Sequence, residues 1–175
     1  MEKQRQVMPI TLALGVGRVA INTFNAGAGT DTIARGFVPI VLAQPDVFSS
    51  TNDAGGRAVA LNVTNPAART PEPFNVTSPD STGTSVPTVI ELSVTGVRSV
   101  LAAEVTVTVG TTAITGGSIL FIGPNAEMPG VDIINFQLPA SLAGAGDVPV
   151  VVTVNKQGLT VTSRPADSAP HITIN

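Results

Sequence analysis

Apolar positions along this chain come in short, β-branched runs, and none keeps the three-to-four-residue period of a helix. The runs predict strands at 9–14, 18–24, 37–43, 57–63, 88–97, 104–109, 118–122, 131–138, 148–154, 159–163 and 171–174. "AEVTVTVG" alternates cleanly, with Val105, Val107 and Val109 on one face and Glu104, Thr106 and Thr108 on the other, as a half-buried strand requires. "VPVVVTV" is more uniformly apolar, which predicts a central place in a sandwich. Turn-forming clusters separate the runs, among them "NAGAGTD", "SSTNDAGG", "TNPAARTPEP", "SPDSTGTS", "GPNAEMPG" and "AGAGD". The longest interval without strand signal is 64–87, whose Pro66, Pro71, Pro73, Pro79 and Pro87 cannot donate to a ladder. It is expected to cross a sheet edge or to link two sheets.

A faint internal echo bears on domain organisation. "ITLALGVGRVAINTF" near the start has the layout of "VVVTVNKQGLTVTS" near the end: strand, short Gly-containing turn, strand. In each case a further strand follows a polar interval, "FVPIVLA" in the first and "PHITIN" in the second. Residues 1–44 therefore read as N-terminal strands, either completing the sandwich or exchanged between subunits, and 45–175 as a complete unit.

"ITLALGVGRVA" also contains Gly15-x-Gly17-x-x-Ala20, the outline of a dinucleotide-binding turn. That chemistry requires the glycines to open a helix whose free N–H groups hold the pyrophosphate. The segment they open, "RVAINTFNAGAG", is β-branched and lacks helical periodicity, and no ribose-binding acid follows at the required place. The glycines are expected instead to form the corner of a β-hairpin.

Composition narrows the possible functions. The chain has 175 residues, enough to bury a core without disulfides or metals, and 43% of them are hydrophobic, too many for a disordered chain. Its 17 Gly and 14 Pro accompany the many predicted turns. With 9 basic and 12 acidic residues the net charge is -3, and no Lys/Arg cluster exists to neutralise a phosphate backbone, so nucleic acid is not an expected partner. The absence of Cys removes structural disulfides, thiol catalysis and Cys-based metal sites. No run approaches the roughly 20 apolar residues of a membrane helix. The opening "MEKQRQVMPITLALGVG" has the outline of a signal peptide, but Pro9, Gly15, Gly17 and Arg18 interrupt the apolar run and no A-x-A site follows.

Candidate reactive residues are sparse. His171, the only histidine, follows Pro170 near the end of the sequence and reads as a surface residue; no serine sits in a G-x-S-x-G elbow to pair with it. Asp31, Asp53, Asp80, Asp132 and Asp147 are isolated in turns or at strand edges, where Asp normally bonds local backbone, and none forms the D-x-D spacing that converging calcium ligands favour. The six aromatics, Phe24, Phe37, Phe48, Phe74, Phe121 and Phe136, fall mostly in or beside strands and read as core, while Trp and Tyr, the usual sugar-stacking platforms, are absent. Asn62-Val63-Thr64 and Asn75-Val76-Thr77 are glycosylation sequons of the kind that recur by chance in a Thr-rich chain. No catalytic, cofactor-binding or metal residue is expected, no cofactor, and no small-molecule substrate.

The second half carries a more specific pattern. In order come V-x-V-x-V-G, an apolar strand ending in Gly-Pro, "PGVDIINFQLP" and "GDVPVVVTV", preceded by "PDVFSS" and "GGRAVALNVTNPAARTPEP". This arrangement resembles the immunoglobulin-like C-terminal domain family of Solibacter and other acidobacterial exported proteins, over about residues 37 to 165. Ile134-Asn135-Phe136-Gln137-Leu138-Pro139 is its most specific part, and "FIGPNAEMPG" departs from the family pattern in its loop. The resemblance implies a sandwich in an extracellular or bacterial cell-surface setting and brings no catalytic residues.

The fold expected is therefore all-β, an immunoglobulin-like β-sandwich with an additional N-terminal strand pair. The expected role is a noncatalytic structural subunit of a bacterial extracellular or cell-surface assembly, self-associating with identical subunits, with a filament joined by β-strand contacts as one form. The alternative is an adhesion or glycan-binding module of a larger secreted protein. A hydrolase would rest only on generic Ser, His and Asp content.

Overall fold

The computed structural model describes residues 15–24, 31–51 and 55–175. The chain divides into two compact units, Met1–Leu42 and Ala43–Asn175. The first holds β1 (Gly15–Phe24) and β2 (Asp31–Ile40). The second holds β3 (Asp46–Val47), β4 (Ala60–Asn62), β5 (Thr77–Pro79), β6 (Ser85–Pro87), β7 (Val89–Thr95), β8 (Val105–Val109), β9 (Thr112–Ile114), β10 (Ile119–Pro124), β11 (Asp132–Gln137), β12 (Gly146–Lys156), β13 (Leu159–Thr162) and β14 (His171–Ile174). Among the described residues, helix is confined to three short 3-10 turns at Ala102–Glu104, Gly116–Ser118 and Ala140–Leu142. The fold is all-β, as the apolar pattern predicts.

In the second unit two antiparallel sheets face each other. One runs β10-β11-β7, with β3 and β4 placed end to end along the far edge of β7. The other runs β13-β12-β8-β9, with β14 continuing the β13 edge of β12. Alternation drives the burial. Val105, Val107 and Val109 of β8 turn inward with Val150, Val152 and Val154 of β12, and they meet Ile90, Leu92 and Val94 of β7 and Ile134 and Phe136 of β11 in one core. Each fully buried aliphatic or aromatic side chain contributes roughly 1.5–3 kcal/mol. A one-residue slip in register would turn a whole row out to water. The uniformly apolar "VPVVVTV" lies in β12, which is paired on both edges, as its composition predicts.

The sheets are joined along one side. Residues 56–58 leave the β3/β4 edge and pair in parallel with β14: the Ala58 N–H donates to the His171 carbonyl and the His171 N–H to the Gly56 carbonyl. The interval 64–87, expected to cross a sheet edge or to link two sheets, runs from one sheet to the other: Thr70 bridges to Asn62 of β4, and Phe74, almost wholly buried, bridges to Ile174 of β14. It also folds the β5–β6 hairpin, whose small and proline-containing strands carry no alternating apolar signal.

Two turns depend on glycine. Lys156 and Leu159 pair across Gln157-Gly158, whose φ values of 50 and 78 are both positive, the geometry of a type I′ hairpin. Gly96 has φ +74, and a Cβ there would sit 2.0 Å from the Gln44 carbonyl oxygen. That close approach lets the turn after β7 lie against the segment leading into β3.

Candidate functional site

In the first unit, β1 and β2 pair over their whole length, from Gly15 opposite Ile40 to Phe24 opposite Asp31. Gly15 and Gly17 are thus ladder residues, and the expectation that they form a hairpin corner is incorrect. A strand tolerates glycine, which leaves its surface open to close approach. The expected strand 9–14 lies outside the described residues. No helix follows Gly17, so the dinucleotide reading fails on the requirement stated for it. Strand β2 begins earlier than expected because Gly36, which breaks the apolar pattern, is carried in the ladder opposite Val19. Val16 and Phe37 are 73% and 77% exposed.

The densest ionic cluster lies where 56–58 joins β14. Glu72 receives both the Arg57 Nε–H at 2.6 Å and an Arg57 Nη2–H, a forked pair. The same guanidinium reaches Asp147 through Nη1 and donates to Thr173 Oγ1 at 2.7 Å. The Thr173 N–H donates to Glu72 at 2.7 Å, and His171 Nδ1 lies 2.8 Å from Asp147 Oδ2. Partial burial pushes the Glu72 carboxyl up, but the hydrogen bonds from Arg57 and Thr173 outweigh it and leave Glu72 below its ordinary range. The Arg57 hydrogen bond, seconded by His171, likewise lowers Asp147. Pairing with Glu72 raises the Arg57 guanidinium above its usual value.

His171 is therefore a half-buried member of a network rather than a plain surface residue. An Asp oriented on Nδ1 is half of a hydrolytic triad. The other half needs a hydroxyl on the second ring nitrogen, and among the described residues no hydroxyl is hydrogen-bonded to His171. Arg57 stands between the two carboxylates and engages both. Among the described residues no three His, Cys, Asp or Glu side chains are grouped to hold a metal ion. The arrangement ties four segments together. Sequence reasoning missed Arg57 and Glu72: Arg57 opens the expected strand 57–63, Glu72 lies 15 residues on in the interval without pattern, and no local signal links the two before 56–58 pairs with β14.

The remaining candidates divide. Asp80 bonds local backbone as expected, accepting from the Thr82 and Thr84 N–H groups. Asp132 does not: it is buried and accepts from the Val97 N–H at 3.1 Å and from Arg98 Nε at 2.9 Å, fastening β11 to the turn after β7. Asp147 departs in the same way, toward Arg57 and His171. Asp31 opens β2, and Asp53 lies outside the described residues. Phe74 and Phe136 are core, but Phe37, Phe48 and Phe121 are exposed, so the expectation that the phenylalanines are core holds for only part of the set. The Asn62 sequon is structurally occupied: its Nδ2 donates to Ser78 Oγ and its Oδ1 accepts from Thr64.

The outer face of the β10-β11-β7 sheet carries a second constellation. The register aligns Phe121, Asn135, Glu91 and Leu61 across four strands. Beside them a groove of about 310 Å³ is lined by Val63, Pro66, Arg69, Val89, Glu91 and Asn135. It adjoins a smaller one of about 150 Å³ that shares Arg69 and Glu91.

Searches against family models, curated proteins and solved structures return no significant match for the chain.

Proposed function

We propose that the protein is a noncatalytic structural subunit of a bacterial extracellular or cell-surface assembly, joined to identical copies through its β1–β2 hairpin. The observation that carries this reading is the hairpin itself. Its strands of 10 residues each pair only with one another among the described residues, and they expose Val16 and Phe37. An isolated two-stranded hairpin is marginally stable in water, and its edges offer unpaired N–H and C=O groups to another chain. The sandwich has a core of its own, built from Ala43 onward, and its ladders end at β9, β10 and β13. A hairpin seated on one such edge of a neighbour makes a heterologous contact, and repetition of that contact gives an open filament.

The bacterial surface setting and the kinship with the Solibacter-type immunoglobulin-like domains rest on the sequence motifs quoted above. The noncatalytic reading is supported by the closure of the Arg57 network on itself. Negative-stain electron microscopy of the purified full chain tests the assembly. Fibres or extended rods are expected, shortened or abolished by Val16→Lys with Phe37→Lys; dispersed single particles at high protein concentration would refute the reading.

A further inference from the structure

We infer that the free edge of β10 is where the hairpin of a neighbouring copy docks, through its β1 strand; the inference rests on the assembly proposed above and names its acceptor. The two long sides of the sandwich are built differently. On one side 56–58 pairs with β14, and Arg57 ties that seam to Glu72 and Asp147. On the same side Arg164, just past β13, donates to Asp46 through Nε at 3.0 Å and to the Val47 carbonyl at 2.5 Å. That side is laced from sheet to sheet. The opposite side is formed by β9 and β10, and among the described residues β10 makes no hydrogen bond beyond its ladder with β11.

On this unlaced side the side chains mark β10 as the acceptor. Strand β9 has three residues, and its one large apolar side chain, Ile114, is buried. Strand β10 has six residues, none of them charged. Regular alternation turns one of two adjacent side chains inward. The register shift between Ile119 and Phe121 breaks that rule and leaves Leu120 50% and Phe121 44% exposed side by side. Ile122, next in line, packs only partly against the core. An uncharged apolar margin on an edge strand is a site of association. The register shift at its start and Pro124 at its end confine the free main chain to Phe121–Gly123, so apolar side chains carry much of the contact. Leu159 of β13 is exposed as well, but β13 lies on the laced side.

The occupant follows from the hairpin. Of its two outer edges, the one on β2 carries Pro39, which has no N–H to give to a further ladder, whereas β1 contains no proline. Strand β1 also opens with Gly15-Val16-Gly17. A Cβ at Gly15 would meet nothing within 4 Å, so there is room beside the exposed Val16 for a side chain as large as Leu120 or Phe121. One edge lacks side chains where the other presents them, and every copy of the chain carries both. Strand addition then joins β1 of one copy to β10 of the next.

The test is sedimentation velocity of full-length variants. Leu120→Lys with Phe121→Lys breaks the acceptor and keeps the hairpin; Val16→Lys with Phe37→Lys breaks the hairpin and keeps the acceptor. Each alone is expected to lose the large species formed by the parent, with a cooperative urea transition showing that the sandwich is folded. Leu120→Lys alone, at a half-exposed position, carries the same expectation should the double variant fail to fold. Mixed in equal amounts at a concentration where the parent assembles, the two double variants are expected to form pairs of twice the mass of one chain and nothing longer, because one intact donor and one intact acceptor remain. Leu159→Lys, on the β13 edge, should assemble like the parent. An acceptor variant that assembles like the parent, or a mixture that stays monomeric, would overturn the β10 assignment and leave the assembly standing. A parent that is monomeric throughout would overturn both.

Discussion

Strands β1 and β8 are both rich in β-branched residues, yet they end in different surroundings. In β8, Val107 is completely buried because β7 and β11 supply an opposing layer; in β1, Val16 is 73% exposed. Both form regular antiparallel ladders. The difference teaches that strand propensity and backbone pairing make a ladder, but only a second layer makes a core. The sandwich unit contains its second layer. The hairpin, a two-stranded sheet, obtains one only from something packed against it.

The largest effect should come from breaking the core. Phe136→Ala should cost about 3–5 kcal/mol in urea unfolding, by lost transfer energy and the cavity left between the sheets. Phe37→Ala, at a position 77% exposed, should change unfolding by less than about 0.5 kcal/mol. Equal effects at the two sites would erase the contrast.

Gly96→Ala sharpens it from the backbone side. The positive φ alone should cost about 1–3 kcal/mol, and the collision with the Gln44 carbonyl adds to that. The midpoint of urea unfolding reads the loss directly.

The Arg57 network supplies a third, comparable effect with a pH signature. Glu72→Gln removes the charge from the forked pair and should cost about 1–3 kcal/mol at neutral pH. The native carboxyls of Glu72 and Asp147 lie below their ordinary range, so their contribution is present above about pH 4, where the unfolded groups are also ionised, and is lost as pH falls through the lowered native values. Glu72 should dominate, because Asp147 is 54% exposed and more screened by solvent. Urea midpoints for the parent should therefore drop between pH 7 and pH 3, and Glu72→Gln should flatten that drop; a parallel pair of profiles would contradict the assignment.

Much of the sandwich was legible in the sequence, because period-two burial writes itself into the chain. Val105, Val107 and Val109 announced their face, "VPVVVTV" its paired position, and Gln157-Gly158 its turn. What escaped was set by partners distant in sequence. Strands β3, β5, β6 and β9 are too short to show a period, and β14 is met by 56–58 and by Phe74 through parallel bridges that no local pattern encodes. Gly15 and Gly17 misled because glycine marks turns more often than it lies within a ladder. The polar sites were hidden for the same reason. Nothing near His171 points to Arg57, and Asn135 and Phe121 lie row-wise with Glu91 only once β10, β11 and β7 are in register.

The most direct measurement is sedimentation velocity of the full chain beside a version lacking residues 1–42, each followed to high protein concentration. The account predicts that the full chain forms large species while the truncated chain sediments as a folded monomer with a cooperative urea transition. A truncated chain that still assembles like its parent, or a full chain that stays monomeric throughout, would contradict it.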